Sequence, residues 1–227
     1  MGRQSIITID GPAGAGKSTA AKRLARAMGF HYLDSGALYR AVAWETLRRR
    51  VDVQDSAALS AFFADFKPHI AFDEAGFRVL IDGREVAQEL RTPEVSQASS
   101  RVAAVPQVRR WVTACLRNLA RNRGVVAEGR DMGTVVFPEA EVKFFLTADL
   151  ATRAARRRDE WQSGQIGIDL EGTMRELATR DRQDETRTVS PLKAPVGAIH
   201  IDTTSMTPEE VTSACLAVIR DALARTG

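Results

Sequence analysis

Apolar positions follow two rhythms along this 227-residue chain. Residues 6–9 (IITI) are a short β-branched run that stops at Asp10 and Gly11, the pattern of a strand covered on both faces. After a glycine-rich turn, Ala20, Leu24 and Met28 recur at helical spacing while Lys22, Arg23 and Arg26 point away, and Gly29 supplies a stop. Residues 30–33 predict a second strand ending in Asp34, Ser35 and Gly36. A helix to about Arg50 follows, then another from about Ser56 to Phe66. An opening of β-loop-α-β-α predicts a doubly wound parallel sheet.

The rhythm changes over residues 69–87. Ile70 and Phe72, then Phe77, Val79 and Ile81, then Val86 alternate in three runs, separated by turn signals at 74–76 and at Asp82-Gly83. That predicts a small antiparallel meander. Thr92-Pro93 reads as a helix cap and first helical position, and a further helix from about Pro106 sets Val108, Trp111 or Val112, Cys115 and Leu119 on one face. Residues 65–103 therefore read as an insert in a core made of residues 1–64 and 104–227. The parallel pattern resumes at 125–127, 142–147 and 198–202. The last helix opens with a capping box, Thr207 and Glu210, and turns Val211, Cys215, Val218 and Ala222 inward. Between these strands, helices from about Asp149 and about Asp169 are dense in arginine and flank Gly164 and Gly167. A flexible basic lid over about 149–187 is expected there.

Composition narrows the function classes. An apolar fraction of 44% suits a packed globule, and the apolar runs fall far short of the roughly 20 residues of a membrane helix. No signal-peptide pattern opens the chain. A cytoplasmic protein without a membrane partner is expected. The two cysteines, Cys115 and Cys215, lie on apolar helix stripes and read as inert core thiols rather than a disulfide or a metal site. Net charge is only +3, with 32 Lys+Arg interleaved among 29 Asp+Glu, so a continuous nucleic-acid stripe is not expected. There are 27 arginines against 5 lysines. Guanidinium binds phosphate bidentately, which makes the placement of single arginines the informative feature.

Gly11, Pro12, Ala13, Gly14, Ala15, Gly16, Lys17 and Ser18, followed by Thr19, match GxxxxGK[ST] at every fixed position, between a predicted strand and a predicted helix. Glycines let backbone amides turn inward around a phosphate, and the helix start adds about half a positive charge. Lys17 would reach the β- and γ-phosphates of a triphosphate such as ATP, and Ser18 would take one Mg²⁺ position. None of the five lysines has an aspartate two places on, which argues against a guanine-specific switch, and no transporter-type Ser-Gly-Gly signature occurs. The expected class is α/β, a doubly wound parallel sheet of P-loop kinase type with a small α+β insert and a helical lid.

Three clusters stand out, the first two at the carboxyl edge of the predicted sheet, where ligands of such folds bind. They are Asp34-Ser35-Gly36 with Tyr39 and Arg40, the run from Glu128 through Gly133, and Arg180, Asp184 and Arg187 on one helix face. Each also has a plain structural reading: Asp34 or Ser35 as a helix cap, Arg130-Asp131 as a surface pair, and the 180–187 set as a solvated, salt-bridged face.

Taken together, TIDGPAGAGKST, LDSGALYR, RTPEVSQASSRVAAVPQVR, EGRDMGTVVFP and the RDRQDETR segment resemble the bacterial cytidylate kinase family in order and spacing over nearly the whole chain. The resemblance implies a nucleoside monophosphate kinase with a core, an insert beside the monophosphate site and an arginine-bearing lid, acting on CMP and dCMP. It implies that Ser35, Arg109, Asp131 and Arg187 contact cytosine, that Ser100, Arg180 and Asp184 serve the sugar, and that Arg40 and Arg130 hold the acceptor phosphate. Arg153 and Arg157 fall in the lid by similarity. Glu128 stands where the family often has aspartate.

Chemistry supports part of this independently. A carboxylate accepts from the cytosine N4 amine, whereas uracil would oppose it with an oxygen. The acceptor phosphate is itself largely ionised near neutrality, so no general base is needed. His31, His69 and His200 all lie in strand-like contexts and read as packing or edge residues. A self-contained core argues for a monomer. Two rival readings stay open at this point: a P-loop kinase for another small acceptor such as UMP, AMP or shikimate, and a nucleotide-regulated nucleic-acid-binding protein.

Overall fold

A computed structural model of the chain describes residues 5–74, 76–162 and 169–225. Strand β1 (Ile6–Asp10) leads through the glycine-rich turn into α1 (Lys17–Met28), which Gly29 ends in the left-handed region at φ 63°. Strand β2 (His31–Asp34) runs directly into α2 (Ser35–Arg48), whose first turn is capped by Asp34 Oδ1 accepting from the Ala37 amide at 2.8 Å. Helix α3 (Ser56–Asp65) is capped by Asp55. The meander follows as β3 (His69–Phe72), β4 (Phe77–Ile81) and β5 (Arg84–Glu85), antiparallel throughout. Val86, expected within the third run, lies one residue beyond β5, although its amide still donates to the Val79 carbonyl at 3.1 Å.

Helix α4 (Pro93–Val102) starts as the Thr92-Pro93 pair foretells, with Thr92 Oγ1 accepting from the Val95 amide. Helix α5 (Pro106–Ala120) buries Val108, Arg109, Val112, Leu116 and Ala120. The expected stripe is thus displaced by about one position in its second half, leaving Cys115 and Leu119 half-buried at the core's margin. Next come β6 (Val125–Gly129), a single π-type turn over Met132–Val136 that no sequence signal foretold, and β7 (Val142–Thr147). Helices α6 (Leu150–Gln162) and α7 (Leu170–Thr186) form the arginine-rich pair; Gly164 and Gly167 lie outside the described residues. Strand β8 (Ile199–Asp202) and helix α8 (Pro208–Arg225) close the chain, and the capping box is present: the Thr207 amide donates to Glu210 Oε2 at 2.8 Å and the Glu210 amide to Thr207 Oγ1 at 3.2 Å.

The central sheet is parallel in the order β2-β6-β1-β7-β8. Alternation along its strands divides the core. Leu33, Val125 and Ala127 face one cluster with Val42 of α2, Val108 and Leu116 of α5, Val95 of α4 and Val79 of β4. Ile7, Ile9, Val126, Phe144 and Leu146 face the other, with Leu24 of α1 and Val211, Cys215 and Ile219 of α8. Each large side chain so covered contributes about 1.5–3 kcal/mol relative to exposure. The meander and α4 therefore have no separate core; they share the one beneath α2. Helices α6 and α7 meet the body through a small third cluster, in which Ala154 and Leu177 pack on Ala13 of the glycine-rich turn.

Register sets the chemistry. Chain order reverses around β1, since the path from β1 turns toward β2 while the path from β6 crosses to β7. Asp10 pairs with Gly129, and Asp34 with Glu128, so three strand ends deliver their polar residues to one edge beside that reversal.

Candidate active site

The turn after β1 is shaped by close approach. At Gly11 (φ 145°) a Cβ would sit 2.0 Å from the Leu146 carbonyl oxygen, and at Gly14 (φ 76°) 2.9 Å from Arg153 Cβ, so neither position has room for a side chain. Gly16 caps α1 without any side-chain acceptor, which leaves the first amides of the helix open to an anion. Residues from Ala13 to Thr19 line a cleft of about 1230 Å³, while Gly11 and Pro12 lie behind it. Lys17 is buried and donates from Nζ to the Pro12 carbonyl at 2.6 Å. Its pKa falls to about 7, chiefly through burial and then through the Arg130 guanidinium, with Glu128 acting in the opposite sense.

At the end of β6, Glu128 is buried and accepts a hydrogen bond from the Tyr32 hydroxyl. Burial, and then the Asp34 carboxylate, raise its pKa, while Lys17, Ser18 and Tyr32 oppose the rise. Glu128 thus stands among the phosphate-loop side chains, a position sequence reading passed over as a mere departure from the family pattern. The available signal was its place as the penultimate residue of the strand next to the phosphate-loop strand.

Across the cleft, Ser35 Oγ donates to the Glu128 carbonyl at 2.8 Å, and Arg40 Nη2 reaches Asp34 Oδ2 at 3.2 Å. Asp34 is accordingly both a helix cap and a cleft residue. Asp131 is almost fully buried and paired with Arg109, which also donates to the Ala103 carbonyl at 2.9 Å and lies over the Tyr39 ring. Arg130 Nε donates to Asp184 Oδ2 at 2.8 Å, and Arg187, just beyond the end of α7, lies 3.5 Å from the other oxygen of the same carboxylate. Burial pushes the Asp184 pKa up, but Arg130, Arg180 and Arg187 together hold it below the ordinary carboxylate value. The Arg130-Asp131 surface pair and the solvated 180–187 face are therefore both excluded as structural readings.

Arg180 and Arg157 converge on Ser96 Oγ, at 3.5 and 3.4 Å, and Ser100 lines the same wall. Burial, followed by the Arg130 charge, lowers the Arg180 pKa to about 10. Two buried donors of the cleft, Arg180 Nε and Arg187 Nη2, have no hydrogen-bond partner among the described residues. Buried donors are seldom left so, and a polar ligand in the cleft would meet them. Arg153 departs from expectation: it does not line the cleft but donates behind the loop, to the Ala13 carbonyl at 3.1 Å, the Ala148 carbonyl at 2.9 Å and Asp181. Its neighbour Arg156, unremarked in the sequence, does line it, donating to the Thr203 carbonyl at 2.7 Å.

Among the described residues the cleft wall holds ten Lys or Arg side chains and four Asp or Glu, a formal excess of six against +3 for the whole chain. Positive charge is concentrated in one concave place, which is the arrangement that draws in and holds phosphates. The volume exceeds what a single nucleotide-sized ligand needs.

A family model described as Cytidylate kinase matches residues 7–221. A protein named cytidylate kinase from Caldanaerobacter subterraneus subsp. tengcongensis is 44% identical over 214 residues, covering 94% of each chain. Another of the same name, from Pelotomaculum thermopropionicum, is 47% identical over 206 residues, covering 90% of this chain and 91% of its own. Among solved structures, a putative kinase from Chloroflexus aurantiacus is similar in fold, with a TM-score of 0.51 over 97% of this chain and 96% of that one at 15% identity.

Proposed function

Since the chain belongs to the cytidylate kinase family, we propose that ATP lies over the glycine-rich loop, that CMP lies between α2, α4 and α7, and that the γ-phosphoryl group passes directly from one to the other. The activity is phosphorylation of CMP by ATP, giving CDP and ADP. One observation carries the residue-level reading: Arg40, Arg130 and Arg180 face Lys17 and the open amides of α1 across a single strongly positive cleft.

In this reading Arg40 and Arg130 hold the CMP phosphate, whose oxygen attacks the γ-phosphorus in line as the bond to the bridging oxygen of ADP breaks. Little covalent chemistry is asked of the protein; positioning and charge neutralisation supply the rate. Lys17 and Arg157 meet the developing charge. Asp131 accepts from the cytosine N4 amine, with Ser35, Arg109 and Arg187 around the base, while Ser100, Arg180 and Asp184 take the sugar. The same pocket would admit dCMP.

The donor set fits a Mg²⁺ ion bound mainly by phosphate oxygens. The Ser18 hydroxyl stands at the loop beside the buried Glu128 carboxylate, and among the described residues no group of three or more His, Cys, Asp or Glu would hold an ion unaided. When bound, the ion would neutralise charge on the transferring group. Among the described residues no helix is long and apolar enough to cross a membrane. A monomer working in the cytoplasm on small molecules, without nucleic acid, completes the proposal, as does a monophosphate-side role for residues 65–103.

Phosphorus NMR of the purified chain with ATP, Mg²⁺ and CMP tests it. CDP and ADP should appear in equal amounts, and Lys17→Ala should stop both. ATP consumption without CDP would overturn the assignment.

A further inference from the structure

Asp10 ends β1, one residue before the glycine-rich loop, and the reaction as described gives it no part. It is fully buried, yet both carboxylate oxygens are engaged: Oδ1 accepts from the Met132 amide at 2.8 Å and Oδ2 from the Gly133 amide at 2.8 Å. Those amides open the π-type turn, and the residues immediately before it are Arg130 and Asp131. The turn is also held from outside, where Arg117 donates to the Val136 and Val135 carbonyls, each at 2.9 Å. It has no slack at Gly133, where a Cβ would lie 2.7 Å from Pro195 Cγ and 2.8 Å from Thr8 Oγ1.

We propose that Asp10 is a positioning residue for the acceptor, its carboxylate holding the Met132 and Gly133 amides so that Asp131 and Arg130 are aimed at CMP in fixed relation to the donor loop. The proposal rests on the reading that Asp131 recognises cytosine. Two donors on adjacent residues need two acceptor oxygens; a carboxylate supplies both and an amide only one. Burying a charge with so few partners is unfavourable. Burial accordingly raises the Asp10 pKa to about 6, against the pull of the two amides. A residue needed only for packing would be apolar at this position. Asp10 belongs covalently to the donor loop and through hydrogen bonds to the acceptor turn, so one side chain ties the two halves of the site.

The test compares Asp10→Asn with Asp131→Asn, using CMP and UMP as acceptors and measuring KM for ATP separately. Removing one charge-assisted hydrogen bond from the turn should raise the Asp10→Asn KM for CMP about 10-fold and narrow the CMP-over-UMP preference severalfold, while KM for ATP moves by less than about 3-fold. A uniform fall in kcat with KM for CMP and the preference unchanged marks a merely structural role and overturns the proposal. If Asp131→Asn narrows the preference and Asp10→Asn does not, only the positioning role is lost. If Asp131→Asn leaves the preference intact, the base-reading assignment fails and the proposal falls with it. Should Asp10→Asn not yield folded protein, amide exchange in the wild-type chain decides. Protection of Met132 and Gly133 that rises with CMP supports the role, and exchange that is fast, or unmoved by CMP, overturns it.

Discussion

Arg109 and Asp131 illustrate how a buried pair differs from a surface one. Both are almost fully buried, and each satisfies the other. Truncating Asp131 to alanine strands the guanidinium and should cost about 3–5 kcal/mol of stability, read as a lower melting temperature. Asp131→Asn keeps the shape but turns a donor toward the cytosine amine. Its kcat/KM preference for CMP over UMP should shrink by roughly 5- to 150-fold, the equivalent of about 1–3 kcal/mol for an unmatched buried polar pair. An unchanged preference in that variant would remove this account of base reading.

Lys17 makes a second prediction at this scale. Among the protein's own groups its pKa is about 7 rather than the ordinary 10.5. Because the folded value is depressed, the unfolded chain holds the proton more firmly; the contribution to stability is full above 10.5 and is lost as pH falls through about 7. A triphosphate reverses the balance by favouring the ammonium. Calorimetry of ATP binding at pH 8, in buffers of different ionisation heat, should therefore show proton uptake, and Lys17→Met should abolish it. Binding without proton uptake would contradict the burial of this lysine.

Motif residues were legible one by one because the phosphate loop has a fixed spacing. Glu128, Asp10 and Arg156 were not, because their roles come from strand register and helix docking rather than from neighbours in sequence. Glu128 acquires its place only once β6 is known to lie between β1 and β2.

Elements were read from period and capping, and those signals are local. Thr92-Pro93, Thr207 with Glu210, and Gly29 each mark a helix end where they were expected. The π-type turn has no such local mark. It is set by Asp10 and Arg117 from other parts of the chain, so its form is a tertiary consequence. The displaced face of α5 has a similar origin: Arg109, a charged residue, occupies a buried position because Asp131 and the Ala103 carbonyl await it.

At the level of α6, two arginines that similarity grouped together separate in role. Arg153 is buried behind the loop against Ala13 and Asp181, whereas Arg157 lines the cleft. Arg153→Ala should lower stability by about 1–3 kcal/mol through the unsatisfied Asp181 and carbonyl partners, with a fall in melting temperature. Arg157→Ala should lower kcat by about 100-fold, the size of effect seen when one donor to transition-state charge is removed. The reverse pattern would return Arg153 to the lid role that similarity assigned it.

At the scale of the whole molecule, the parallel sheet gathers the ends of β1, β2 and β6, and the surrounding helices supply arginines to that edge. The fold class could be read from the alternation of strand-like and helix-like runs. The sharing of one core between the meander, α4 and α2 could not, because periodicity shows which face is apolar without naming its partner. That shared core joins the meander, α4, α5 and α2 in one packed body, while α6 and α7 sit against the rest of the chain through a small apolar cluster over Ala13 and polar bonds such as Arg130–Asp184 and Arg156–Thr203. On the proposed reading, the cleft's excess of positive charge serves both nucleotides at once.

The most direct test is a side-by-side assay of ADP formation from ATP and Mg²⁺ with CMP, dCMP, UMP and AMP. CMP and dCMP should be turned over, with UMP lower in kcat/KM by roughly 5- to 150-fold and AMP lower still, as expected for a pocket whose buried carboxylate must be met by an amine in cytosine's geometry. Equal turnover of UMP, or ADP formation that none of these acceptors stimulates, would contradict the account.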